Sequence, residues 1–205
     1  MELLNYGNKQ NSDKEIVSDV ENNKDTSKPE EKEVKYKSYE KLPKVAQIVA
    51  DFDIYLSVPS WRTENFGYGF TTTESTSYGI IVSCKHYTQP GVSIEEAFSE
   101  TYNDDFHSIL TQFCRGQYHE YTPKIIEKTT LTCGVNAIKF EGKQPVKAYG
   151  TETEYYVYGY SFVFKDVPVI VGYVIEDESK VDDAKRAELK DYVDKMVQTV
   201  RTKKS

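Results

Sequence analysis

The chain has 205 residues, a formal charge of −7 and 29% charged residues. Its length suits one domain, or one domain with a tail. So acidic a chain lacks the basic face that a phosphate-backbone binder needs, which argues against nucleic acid as a partner. No stretch approaches the length of a transmembrane helix.

Residues 1–41 read as a disordered polar linker. After Met-Glu-Leu-Leu-Asn-Tyr the composition turns to Asn, Ser, Asp, Glu and Lys, and the aliphatic residues from position 7 to 41 are Ile16, Val17, Val20 and Val34. That is too little apolar surface to offset the entropy of ordering. A solvated helix across residues 13–21 is the alternative. No apolar signal segment follows the initial Met. The chain as given therefore carries no export signal.

The folded domain is expected over residues 42–205. Leu42, Val45, Ile48 and Val49 have the spacing of a short amphipathic turn. Phe52 to Val58 alternates as a strand, closed by Pro59-Ser60-Trp61. Gly67 and Gly69, with Thr71, Thr72, Thr73 and Ser75, suit a polar loop or hairpin. Tyr78 to Tyr87 reads as a strand with Ile80, Val82 and Cys84 on one face, and Gln89-Pro90-Gly91 turns the chain. Ser93 is a good N-cap with Glu96 at capping-box spacing. The helix that follows carries Ile94, Ala97, Phe98, Phe106, Ile109, Leu110 and Phe113 as one apolar stripe. Gly116 is its natural terminator.

From Tyr118 the pattern returns to strands. Ile125 and Ile126 lead into a strand over Leu131–Phe140, with Glu141-Gly142-Lys143 as a turn. Residues 153–175 are the centre of the chain and read as a hairpin. β-Branched and aromatic residues fill 155–164 and 169–175. Alternation places Tyr156, Tyr158, Tyr160, Phe162 and Phe164 on one face of the first strand, and Tyr155, Val157, Gly159, Ser161 and Val163 on the other. Neither face is charged, so both must be covered. Pro168 has no amide hydrogen and belongs at the start of the second strand. Asp182 or Asp183 caps a last helix, which packs through Leu189, Tyr192, Val193, Met196, Val197 and Val200. Its basic end, Arg201 to Lys204, suits the helix dipole. The order of strands, one long helix, more strands and a closing helix predicts an α+β fold with an antiparallel sheet.

This order resembles the Mog1/PsbP-like family from about residue 42 to 201. The matching features are Val58-Pro59-Ser60-Trp61, the helix opened by Ser93-Ile94-Glu95-Glu96, and the stretch Thr132 to Glu141. The Tyr-rich hairpin and Met196-Val-Gln-Thr-Val200 match as well. The resemblance implies an antiparallel β-sheet flanked by helices on both faces, an α/β/α sandwich. It also implies a non-enzymatic role, since family members include a small-GTPase binder, a photosynthetic accessory subunit and bacterial envelope lipoproteins. A polar spacer before a compact domain fits the last type. Yet the first cysteine is Cys84, so no lipid-bearing cysteine precedes the domain: either the export segment and membrane tether are missing from this chain, or the protein stays inside.

The tail-plus-domain layout and the aromatic-rich sheet, with what the resemblance implies, point to a non-catalytic binding or assembly module tethered at the bacterial cell envelope, with an unknown protein or small-molecule partner. The alternatives are a cytoplasmic partner-binding protein, or an enzyme using His107 or His119 in a sheet–helix groove. Trp61, Arg62, Tyr68, Tyr156 and Tyr158 are the candidate binding residues, because tyrosine and tryptophan join an apolar ring to a polar tip. Strand packing is the plainer account of the 17 tyrosines. No catalytic residue, metal or cofactor is predicted. His86, His107 and His119 lack the helical spacing of metal ligands. His107 and Cys114 lie about 10 Å apart by helical rise, too far for a nucleophile and its base. His107 is therefore expected on the polar side of its helix. Gly67-Tyr68-Gly69 lacks the third glycine of a phosphate loop. Cys84, Cys114 and Cys133 lie in apolar segments, where free cysteine behaves as a small buried hydrophobe.

Overall fold

The computed structural model describes residues 41–203, apart from Pro43, Gly116, His119, Glu120, Thr122 and Tyr149. The expected linker thus lies, but for Lys41, outside the described residues, as do the terminator Gly116 and the candidate His119.

The hairpin of residues 153–175 organises the sheet. Strand β9 (Thr151–Phe164) turns at Lys165 and Asp166 into β10 (Val167–Ile175). Both turn residues have positive φ, +51° and +60°, the geometry that matches the twist of the flanking strands. Pro168 sits second in β10, opposite Val163. On one face Tyr158, Tyr160, Phe162, Val169, Val171, Tyr173 and Ile175 join one core. On the other, Tyr155, Val157, Ile170 and Val174 join a second. The row from Tyr156 to Phe164 is covered, as a ribbon apolar on both sides requires.

The remaining strands extend this pair. They are β3 (Arg62–Phe66), β4 (Gly69–Thr73), β5 (Tyr78–Cys84), β6 (Gln117–Tyr118), β7 (Lys124–Thr130) and β8 (Asn136–Ala148). Among the described residues they form one antiparallel sheet of eight strands. Its order is β3-β4-β5-β10-β9-β8-β6, with β7 also on β8. β1 (Lys44–Val49), β2 (Ile54–Val58) and β11 (Arg201–Thr202) make a second, three-stranded sheet.

Helices cover both faces of the large sheet. On one side lie α1 (Ile94–Thr101), a π-helical turn over Tyr102–Phe106, and α2 (His107–Cys114). Ser93 caps α1 by accepting from the Glu96 amide. On the other side lies α3 (Asp183–Val197), capped by Asp182, whose carboxylate accepts from the Lys185 amide. Its apolar stripe of Leu189, Tyr192, Val193, Met196 and Val197 is buried. The architecture is the α+β sandwich that the patterning predicted.

Four expectations are corrected. Residues 44–49 form strand β1 instead of a turn, because β2 offers them a ladder. Glu141-Gly142-Lys143 does not turn: β8 runs straight through it, and Gly142 is needed because a Cβ there would meet the Tyr121 ring. The turn falls earlier, at Leu131–Val135, where Gly134 has φ +83°. The basic end beyond α3 is not helical: Arg201–Thr202 pairs with β2 as β11, while the Arg201 guanidinium donates to the Thr199 carbonyl just past the helix end.

Candidate functional site

Five tyrosines on the α3 face follow one arrangement, with a carboxylate at the hydroxyl and a cation over the ring. Tyr158 and Tyr160 both donate to Asp194 Oδ1, at 2.6 and 2.9 Å. Lys139 lies over both rings, and Lys190 over Tyr158. Tyr156 donates to Glu141 at 3.1 Å beneath Arg186. On the far flank of α3, Tyr78 donates to Glu74 at 2.6 Å beneath Lys185. There too Tyr192 donates to Glu188 at 3.1 Å beneath Lys41. Burial, then bonding to Asp194, raises the Tyr158 pKa well above the usual phenol range. Burial also raises those of Tyr156 and Tyr160. Phenols held this way are poor nucleophiles and poor bases; they bolt α3 to the sheet.

The candidate binding residues fall on both faces. Trp61 is half-buried and meets Tyr192 and Tyr78 edge-on, at centroid distances of 5.1 and 6.3 Å. Tyr156 is half-buried and Tyr158 is 1% exposed, both on that same α3 face. Tyr68 belongs to the opposite core, with its hydroxyl 3.3 Å from Ser108 Oγ on α2. Arg62 is exposed at the head of β3. Trp61, Arg62 and Tyr68 thus bracket the outer hairpin β3–β4. Tyr156 and Tyr158 stand on β9, four strand spacings or about 19 Å away. The five do not form one surface.

The π turn overturns one expectation. His107 is 0% exposed, not on the polar side of its helix. The wider π turn advances the helix phase, so Tyr102, Asp105, Phe106, His107, Ile109 and Leu110 all face the sheet. His107 Nε2 lies 2.8 Å from Gln144 Oε1, which also accepts from the Tyr102 hydroxyl at 3.3 Å. The Gln144 amide nitrogen donates to the Pro145 carbonyl, so its oxygen faces the ring and His107 Nε2 carries the proton. The same turn sets Asp104 and Asp105 on Lys85, at 2.8 and 3.0 Å. Lys85 is 4% exposed. Burial opposes its ammonium, but the bonds to Asp104 and Asp105 outweigh that and raise its pKa. Burial raises Asp105 against the pull of Lys85. The neighbouring Cys84 thiol is pushed up to about 12, by burial and then by Asp105. Cys84 is thus an inert core thiol, whereas Cys133 is free and exposed, because it sits in the Leu131–Val135 turn.

What remains accessible lies mostly at the sheet's ends. Among the described residues β7 pairs with β8 alone, with Ile125 40% and Ile126 38% exposed. Sequence reading placed Ile125 and Ile126 in a strand but gave them no role. The missed signal was two adjacent isoleucines between Lys124 and Lys128, on a strand that nothing further along the chain is positioned to cover. An open acidic hollow of about 670 Å³ lies against Glu154, Glu176, Asp177, Glu178 and Lys180. Two of its four carboxylates are already engaged: Asp177 holds Ser179 and Lys180, and Glu178 holds Lys143 and Arg186. Among the described residues, no group of three or more His, Cys, Asp or Glu is placed to hold a metal, and no helix is long and apolar enough to cross a membrane.

No protein-family model matches the chain, and no curated protein sequence does. Solved structures do. A Bacteroides thetaiotaomicron VPI-5482 protein matches at a TM-score of 0.42 and 11% identity over 80% of this chain. The chain spans half of that protein's length. The Saccharomyces cerevisiae Ran-binding protein Mog1p matches at a TM-score of 0.47 and 12% identity, over 78% of this chain and 94% of that one. These are likenesses at low identity, and neither protein's activity passes to this chain.

Proposed function

We propose that this chain is a non-catalytic module that binds a protein partner through the open β7 edge. The supporting observation is the pair Ile125 and Ile126. They are exposed side by side on a strand whose outer amides and carbonyls have no ladder partner among the described residues. Such an edge accepts an extended segment of another chain: main-chain bonds supply affinity, and apolar side chains supply selectivity. The one-residue bulge at Ile126 and the flanking lysines keep the edge from pairing indiscriminately. Trp61 and Arg62, at the other end of the sheet, are a second accessible patch. In this reading residues 1–41 tether the domain at the bacterial cell envelope, which accords with their polar composition.

The test is affinity capture from native cells with the wild-type chain and with Ile125→Asp and Ile126→Lys. Both substitutions are exposed and should leave the melting temperature unchanged. A protein retained by the wild type and lost from both variants supports the reading, and an identical set of captured proteins refutes it. The exposed free thiol Cys133 favours a second reading, in which the same module works in the reducing cytoplasm. Fractionation of native cells expressing the gene with its upstream coding sequence separates the two.

A further inference from the structure

We infer that the other open edge, β3, pairs with β3 of a second copy of this chain to form a two-fold dimer. Among the described residues β3 pairs with β4 alone, through Arg62↔Thr73, Thr63↔Thr72, Glu64↔Thr71, Asn65↔Phe70 and Phe66↔Gly69. Arg62, Glu64 and Asn65 are exposed. Arg62 and Glu64 stand two residues apart, so they share a face of the strand. Among the described residues neither forms an ion pair within the chain. An open strand with unlike charges at alternate positions is complementary to its own antiparallel copy.

Symmetry decides the register. A two-fold axis normal to the sheet keeps every side chain on its own face. Opposed residues must therefore share a face, and the register must centre on a residue. Centred on Thr63, the pairing sets Arg62 against the partner's Glu64 and Glu64 against the partner's Arg62, with the two threonines facing each other. Unlike charges directly opposite stabilise an antiparallel ladder, and the Thr63 hydroxyl, already accepting from Lys44 Nζ at 2.6 Å, adds no bond of its own across the axis. Centred on Glu64 two carboxylates would meet, centred on Arg62 two guanidiniums would meet, and centred on Asn65 no unlike charges are paired, so the Thr63 register is the one that gains ion pairs. β7 shows the opposite design. Registers centred on Glu127 or Lys128 face like charges, and the bulge at Ile126 spoils the register centred there. The charge pattern therefore favours self-pairing at β3 over β7, where a register centred on Thr129 is free of like charges but pairs no unlike ones. A ladder of five residues is short, so the dimer is a transient one.

Sedimentation equilibrium of the full chain, from about 10 μM to about 1 mM, tests this. The wild type should show a concentration-dependent dimer. Arg62→Glu and Glu64→Arg should each weaken it at least about tenfold, because each sets like charges opposite twice. The double exchange Arg62→Glu/Glu64→Arg should restore it, and so should mixing the two single variants. Melting curves matching the wild type show that the exposed substitutions leave the fold intact. A monomer at every concentration overturns the inference and leaves β3 to a partner of different sequence. A dimer indifferent to the single exchanges also overturns it, by placing the contact elsewhere. Ile126→Lys should not affect the dimer, so this inference and the β7 reading fail independently.

Discussion

Gly159 and Gly172 face each other across β9 and β10, and the rings of Phe140 and Phe106 descend on them from the α1–α2 side. Replacing each with alanine separates two opposing effects. Alanine restricts the unfolded chain and returns about 0.4–1 kcal/mol where the site accepts it. At Gly159 the added methyl would meet the Val171 carbonyl oxygen, with Gly172 Cα at 2.7 Å and Phe140 Cζ at 2.9 Å. Two of these are backbone atoms of a paired strand, which cannot step aside. Overpacking of this kind costs about 1–3 kcal/mol, so Gly159→Ala should lose about 1–2 kcal/mol net. At Gly172 the nearest atoms are the Tyr158 carbonyl at 3.1 Å and Phe106 ring carbons at 3.5 Å. A shift of a few tenths of an ångström relieves them, and the two effects should nearly cancel. Calorimetric melting should therefore place Gly159→Ala about 2–8 °C below the wild type and leave Gly172→Ala close to it. A Gly159→Ala protein that melts at or above the wild type, or one that outlasts Gly172→Ala, would refute this account of the packing.

Lys85→Met removes the countercharge from buried Asp105 and should cost about 3–5 kcal/mol by urea denaturation. Adding Asp105→Leu to that variant should recover most of the loss. Asp194→Ala strips the acceptor from the Tyr158 and Tyr160 hydroxyls and should destabilise by about 2–4 kcal/mol. Tyr160→Phe, which leaves the Tyr158 bond in place, should cost less than half of that. Glu74, Glu178 and Glu188 are held below the ordinary carboxylate range, chiefly by bonds from Tyr78, Lys143 and Lys185 respectively. Their contribution is complete above the unfolded carboxylate pKa of about 4.3 and is lost as pH falls through the lower folded values. Stability measured between pH 6 and 3 should fall over the lower part of that range, and a flat profile would refute the role given to these three acids.

Much of this architecture was legible before any coordinates. The hairpin's double apolar pattern required two covering layers, and the structure supplies them. Ser93 and Asp182 marked the starts of α1 and α3 through ordinary capping chemistry. The misreadings share a cause, since each concerned a residue whose setting is decided at a distance. Gly142 looked like a turn, but its missing side chain makes room for Tyr121, some twenty positions earlier. Residues 44–49 lacked a visible partner until β2 folded beside them. The π turn defeated the periodic count, because every residue after Tyr102 is displaced around the helix, and so His107 was assigned to the wrong side. Of the candidate binding residues, the aromatic character of Trp61, Tyr156 and Tyr158 was plain. That a carboxylate and a cation would engage Tyr156 and Tyr158 was not.

The small sheet has a topological consequence. β1 and β11 flank β2 on its two sides, so the chain enters and leaves the folded body beside one strand. Lys44 stands opposite Val58, and Thr202 opposite Ile54. From strand spacing and rise, the two ends are about 17 Å apart. A bridge of about six residues could join them, and a new opening could be cut at the exposed Gly67 between β3 and β4. Such a circularly permuted chain would keep every ladder described here while freeing both of its ends next to β3.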